Sequence, residues 1–302
     1  MTNEIQDRLS SLDEQFIKHR ISLLRKTDLR KARIDRLKGR LADLLNAYVS
    51  TTIKIDGDRS IFRARKHRIE ERNVFLENVN AIYPNAKYIQ RLGRANRERQ
   101  CIFYFGAQNA VALSEVKPVI GDVITILECK PRVGTLGLLI PIGIHQMAEK
   151  HGARIGGNLP EPTIRIAEFL GNDPVNIRKH KMIDDFVLEE FLRSIRDGDE
   201  HEYKLSIAIA EILFFSFKND LVELRKDLGE TDGLAYPSLA SESINANVAF
   251  QPKAFHRIYQ PVRCERITVE EKRRKIVGGI EVDSFYGPNH ARAVQATGEI
   301  EW

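Results

Sequence analysis

Glu115 is a carboxylate among small and apolar neighbours: Ala110, Val111, Ala112 and Leu113 precede it at what reads as the end of a short helix. Such a group is either solvated or held by partners supplied from elsewhere in the chain. Arg63 and Arg65 alternate with Phe62 and Ala64, so on a strand the two guanidinium groups share one face. That face is wet, or it meets a phosphate or carboxylate, because a buried guanidinium needs a partner. Tyr104 stands at the exit of an apolar run. Ser238 and Asn247 stand at the ends of two further short runs, where Ser and Asn are ordinarily turn formers. These residues offer a carboxylate, two permanent cations, a phenol and two small hydrogen-bonding groups. Which of them meet depends on the elements that carry them.

Around the central stretch, residues 93–115, the pattern is a polar Gly93-Arg94-Ala95-Asn96 loop, a strand over Cys101 to Phe105 closed by Gly106, and a helix reaching Glu115. Before it, Ile5, Leu9, Leu12 and Phe16, then Ile34, Leu37, Leu41, Leu44 and Leu45, fall at helical spacing. That predicts one long or two medium amphipathic helices up to about Tyr48, with Thr27-Asp28 as a break and Lys38-Gly39-Arg40 as a weaker one. The narrow stripe suits packing on the main domain or on a second copy. Asp56-Gly57-Asp58 marks a turn, Ser60 to Arg65 a strand, and 66–92 a loop-rich stretch. Later elements are a strand over Ile120 to Glu128, a buried helix over Leu136 to Glu149, and a loop from Gly156 to Pro162. Helices follow over Asp184 to Arg196, Tyr203 to Phe217 and Leu221 to Leu228. Two short strands precede Ser238 and follow Asn247, and an irregular tail with strand-like pieces runs from 265 to 302.

Composition sets outer bounds. The 302 residues are 42% hydrophobic and 29% charged, which is the balance of a folded chain and not of a disordered one. Neither of the longest apolar stretches, Leu136 to Ile144 and Leu205 to Phe217, is long and uncharged enough to predict a membrane span. The first residues lack a cationic head followed by an apolar core, so no secretory signal is expected. Cys101, Cys129 and Cys264 are far apart with no CxxC, and the eight histidines form no HxxH or HxxxH pair. Free thiols, a reducing cytoplasm and metal-free chemistry are therefore expected. The net charge is +5, and residues 1–50 carry eleven Lys/Arg against seven Asp/Glu, a surplus of four in the first sixth of the chain. A basic helical face fits nucleic acid, an anionic surface or an acidic partner, and is equally ordinary as a solvated face.

Taken together, the motifs resemble the RES domain family, named for its Arg, Glu and Ser. The resemblance covers about residues 58–260. It rests on Phe62-Arg63, on Gly93, Arg94 and Asn96, on the eleven-residue step from Tyr104 to Glu115, and on the pair Asp232 to Ser238 and Asn247 to Phe250, in that order. Phe105-Gly106 stands where Leu-Ala is commoner, and Ala95 where Trp is frequent. The resemblance implies an α+β, ADP-ribosyltransferase-like fold, a split, twisted β-core with flanking helices. Here that core would span 55–262, preceded by a helical region (1–50) and followed by a tail (263–302) packed on the domain.

It also implies a bacterial, cytoplasmic NAD+-consuming toxin of a toxin–antitoxin pair, partnered by an Xre-type DNA-binding antitoxin. NAD+ is then a substrate and no cofactor is needed, although inorganic phosphate can be a co-substrate. The roles carried over are Glu115 at the ribose, Arg63 and Arg94 on phosphate, Tyr104 against nicotinamide, and Ser238 as a donor to phosphate or to the nicotinamide amide. Asn96 and Asn247 join the NAD-binding set. Cleavage of the N-glycosidic bond generates an oxocarbenium-like ribose and an already good leaving group, so a stabilising carboxylate matters more than a strong acid. No Gly-x-Gly-x-x-Gly follows a strand, which excludes the usual dehydrogenase fingerprint. Hydrolysis, phosphorolysis and protein ADP-ribosylation differ only in the nucleophile and are not separated by sequence. The reading of another class is a non-catalytic module binding nucleic acid or protein through residues 1–50, direct nucleic-acid binding being the less expected of its forms. A homo-oligomer through the same residues is a further expectation.

Overall fold

The helical spacing of the first fifty residues becomes three helices in the computed structural model, α1 (Thr2–Ser11), α2 (Glu14–Arg25) and α3 (Ile34–Leu45). Asp13 makes the extra break: its side chain accepts the Gln15 N–H and caps α2. The expected break at Thr27-Asp28 is present, and Gly39 runs inside α3 without interrupting it. The structure describes residues 2–50, 52–55, 59–143, 162–215, 231–238, 246–277, 280–295, 297–300 and 302. The expected turn at 56–58, the loop from 156 to 161 and the helix at 221–228 lie outside them.

The remaining elements, in chain order, begin with β1 (Ile53–Ile55), β2 (Ile61–Lys66), β3 (Phe103–Gly106), α4 (Asn109–Glu115), β4 (Val123–Pro131) and β5 (Gly137–Pro141). Then come α5 (Pro162–Phe169), α6 (Pro174–Leu192), α7 (Lys204–Phe215), β6 (Gly233–Pro237), β7 (Ala246–Phe250) and α8 (Pro252–Ile258). The last are β8 (Tyr259–Thr268), β9 (Glu271–Val277), β10 (Ile280–Tyr286) and β11 (Asn289–Ala293). The class is α+β. The chain falls into two compact units that interleave along the sequence. One is Met1–Ile53, Ile89–Gln100 and Leu138–Tyr236; the other is Lys54–Tyr88, Cys101–Gly137 and Pro237–Trp302. These units and the contiguous division at 50 and 262 cut the chain at different places.

The first unit is mainly helical, with β5 and β6 paired in parallel. Leu9, Ile17, Leu37, Leu41 and Leu44 are each no more than 1% exposed, because α1 and α2 pack on α6 and α3 packs on α7. The apolar stripe that the sequence offered to a neighbouring domain or a second copy is filled by this unit's own helices. Three cations fasten the arrangement at carbonyl ends. Lys179 donates to Leu9 and Ser10, Lys204 to Leu29, Arg30 and Ala32, and Arg94 to Phe191 and Arg193. Helix α6 starts ten residues before the expected Asp184, at a cap formed by Asp173 with Pro174 behind it. Asp184 is instead fully buried in mid-helix, accepting from the Tyr48 hydroxyl at 2.7 Å and the Gly143 N–H at 3.2 Å. Residues 137–141, read from sequence as part of a buried helix, form strand β5. Asp232 explains why: its carboxylate takes the Leu138 N–H at 2.9 Å, and its own N–H goes to the Leu138 carbonyl. A short apolar run closed by Pro141 has no period to separate strand from helix, and its pairing partner lies ninety residues away.

The second unit is built on antiparallel pairs in the order β7-β3-β2-β4-β8-β11. Directly paired residues share a face. Phe62, Gly106 and Asn247 therefore lie on one face, together with Ala64, Ile126 and Ile267. Helix α4 covers that face, placing Leu113 in a cluster with Ile124, Ile126, Ile267 and Val269. Arg63 and Arg65 point to the other face, where Phe103, Phe105, Phe250 and Phe255 stack with Tyr83 and Tyr259. The tail read as irregular supplies strand β11 and the end of strand β8 from Glu265 onward, together with the separate β9–β10 hairpin. Strand β4 starts at Val123 and not Ile120, because Val119 to Asp122 form a turn closed on the Asp122 carboxylate with Gly121 at φ +88°.

Gly106 fixes how closely α4 approaches. A Cβ there would stand 2.7 Å from the Ala112 nitrogen and 2.9 Å from the Val111 Cβ. Gly106→Ala is expected to cost about 1–3 kcal/mol by forcing the helix off the strand. A melting temperature equal to that of the unaltered chain would show that the approach is not tight.

Candidate active site

Glu115 ends α4, and its position follows from the strand-to-helix turn at Gly106. Because the helix sits on the Phe62 face, its last residue comes to the end of β7, where Asn247 stands opposite Gly106 in register. Strand β6 ends at Pro237, whose missing N–H stops the ladder and releases Ser238. The three residues meet there. Ser238 donates its hydroxyl to Glu115 Oε1 at 2.7 Å, and the Asn247 amide donates to the same oxygen at 2.5 Å. Ser238 is 5% exposed and Asn247 6%, while Glu115 itself is exposed. A solvent-reaching carboxylate thus has one oxygen held from below by two buried donors. Its other oxygen, Oε2, has no hydrogen-bond partner among the described residues. Charge-assisted bonds of this kind are short and strong, and they fix orientation as well as charge.

Tyr104 is half-buried on β3, two residues from Gly106 and so on the face that carries Asn247 and α4. Arg63 lies on the opposite face. Its Nε donates to the Ile82 carbonyl and its Nη1 to the Tyr104 carbonyl, both at 3.0 Å. Burial pulls the guanidinium down to about 10, partly offset by Cys101, Tyr104 and Cys129, so it remains a cation at neutral pH. The neighbouring Arg65 meets the Glu71 carboxylate through one nitrogen at 2.9 and 3.0 Å and also donates to the Ala81 carbonyl. Of the partners expected for this face, Arg65 therefore has a carboxylate. The 69–88 segment covers the face with carbonyls and one carboxylate.

Arg94 and Asn96 belong to the first unit. Arg94 reaches the end of α6 and stacks over Tyr203 at 5.6 Å. Asn96 is buried and closes a tight loop, its carbonyl taking the Gly93 N–H and its amide donating to the Arg97 carbonyl. The structure brings together Glu115, Ser238 and Asn247, sets Tyr104 on their face, and puts Arg63 to use on the far side of the sheet. What type and spacing did not reveal is that Asn247 bonds the carboxylate. The only hint in the sequence is that Ser238 and Asn247 each terminate a strand next to the same intervening segment.

Among the described residues no group of His, Cys, Asp and Glu is arranged to hold a metal ion. The three cysteines are free thiols, and burial raises all of them, Cys264 to about 12, so none is a thiolate at neutral pH. No described helix is long and apolar enough to cross a membrane. Compared with known protein families, with characterised proteins and with solved structures, the chain matches none.

Proposed function

We propose that the chain cleaves the nicotinamide–ribose bond of NAD+, by hydrolysis or phosphorolysis, as a RES-type toxin-like enzyme on an ADP-ribosyltransferase-like β-core. The observation that carries this reading is the Glu115 carboxylate. It is fixed at Oε1 by Ser238 and Asn247, has no partner at Oε2 among the described residues, and is assembled from three stretches that the family resemblance singles out. In the reaction the C1′–N bond breaks with its electron pair leaving on nicotinamide. Positive charge then develops on the ribose. An anchored carboxylate stabilises that charge without reorganising, and its free oxygen accepts from a ribose hydroxyl or from the incoming nucleophile. Water at C1′ gives ADP-ribose, nicotinamide and a proton; inorganic phosphate gives ADP-ribose 1″-phosphate and nicotinamide. Tyr104, on the same face, supplies an aromatic surface for the leaving ring. Arg63 is committed to two carbonyls and serves this reading as a brace for β3 rather than as a phosphate clamp.

Incubating the purified chain with NAD+, with and without phosphate, and weighing the products tests the proposal. ADP-ribose alone identifies a hydrolase, and ADP-ribose 1″-phosphate a phosphorylase. Nicotinamide release only when cell extract is added identifies a protein acceptor and hence a transferase. Intact NAD+ under all three conditions overturns the reading.

A further inference from the structure

We infer that Asn247 is a positioning residue acting through Glu115 and not a contact to substrate. Its amide is 2.5 Å from Glu115 Oε1, and the residue is 6% exposed, so one of its two N–H donors is given to the carboxylate and little of the residue is open to solvent. Register explains why this bond forms. Asn247 pairs with Gly106, the one β3 position without a side chain, so nothing stands between the Asn247 amide and the helix that α4 lays across Gly106. Ser238 and Asn247 converge on one oxygen, which ties down Oε1 and leaves Oε2 without a hydrogen-bond partner among the described residues. An asparagine is suited to this place because its amide is a neutral donor. Removing the donor frees the carboxylate, whereas adding a charge beside it sets two anions in contact.

The inference predicts an order of variants that simple packing does not. Asn247→Asp keeps the shape but turns the donor into an acceptor carrying negative charge, and Asn247→Ala removes shape and donor together. If Asn247 holds Glu115, Asp is the worse of the two; if it only fills space, Ala is. The kinetic arm rests on the proposed NAD+ reaction. Asn247→Ala is expected to lower kcat about 10- to 100-fold, the worth of one hydrogen bond to a charged group, with KM nearly unchanged. Asn247→Asp is expected to lower kcat further. A rise in KM with kcat preserved would overturn the inference and return Asn247 to substrate binding.

The second arm needs no turnover and so separates failure of this inference from failure of the functional reading. Thermal melting of the full chain is compared for Asn247→Asp, Glu115→Gln and the two combined. In the combination the donor and acceptor are exchanged, glutamine amide to aspartate carboxylate. The double variant is expected to melt above Asn247→Asp alone, by most of what that change removed. Additive losses would mean that the two side chains are not coupled, and would overturn the inference whether or not NAD+ is consumed.

Discussion

Glu115→Gln is expected to reduce nicotinamide release from NAD+ by about 10²–10³-fold, the loss typical when a group aimed at developing charge is neutralised. The substitution is chosen for shape. A glutamine carbonyl can still accept from Ser238 and Asn247, so the helix end and both buried donors keep their partners. What disappears is the negative charge and one of two acceptor oxygens. Folding, read by melting temperature, should change little, since Glu115 is exposed and its neighbours Val111, Ala112 and Leu113 provide the packing. In a growing cell the same variant should lose whatever toxicity the unaltered chain has. Persistent NAD+ turnover by Glu115→Gln would remove Glu115 from the chemistry and leave Tyr104 as the residue to alter next. The loss is expected in kcat, because a carboxylate that stabilises charge formed in the transition state contributes little to ground-state binding.

Deleting residues 1–50 is expected to unfold the first unit rather than to release a detachable arm. Leu9, Ile17, Leu37, Leu41 and Leu44 are no more than 1% exposed, and each fully buried side chain of this size is worth about 1.5–3 kcal/mol. Five of them together are comparable to the whole stability of an ordinary domain, about 5–15 kcal/mol. The deletion also removes polar partners. Lys204 would lose the carbonyls of Leu29, Arg30 and Ala32, Glu211 would keep Arg97 but lose Lys38, and Asp184 would keep the Gly143 N–H but lose the Tyr48 hydroxyl. Each lost hydrogen bond costs a further ~0.5–1.5 kcal/mol. The measurement is melting by circular dichroism together with dye binding to exposed apolar surface. Loss of a cooperative helical transition is the expected result. A truncated chain that melts as the full chain does, with only its mass in solution altered, would show that the stripe works between copies. Part of the basic charge of this region is paired internally. Arg20 pairs with Asp43, and Arg25 with Glu189, within the same unit.

Local chemistry determined much of this protein from sequence alone. Amphipathic spacing identified α1 to α3 as helical. β-branched and aromatic runs marked β2, β3 and β4, and Gly106 followed by small residues marked the turn into α4. Those signals are carried by neighbours within a dozen residues, which is why they can be read along a line. The same holds for Glu115, an acid among apolar neighbours and therefore conspicuous by type.

Other features depended on residues far apart. Residues 137–141 became a strand because Asp232 and β6 offered them a ladder, and the tail completed β8 along the edge of β4 and laid β11 beside it. Asp184 stands first in the helix expected from sequence and is a buried acceptor in the middle of a longer one, bonded by the Tyr48 hydroxyl. Arg63 and Glu115 sit in the same run of motifs yet on opposite faces of one sheet. Alternation along β2 sends Arg63 to the carbonyls of Ile82 and Tyr104, while α4 carries Glu115 over the Phe62 side. Spacing in sequence says which residues alternate, but only packing says which face a helix covers. For this chain the residue types supplied a carboxylate and its potential donors. The tertiary structure decided that Ser238 and Asn247 reach it and Arg63 does not.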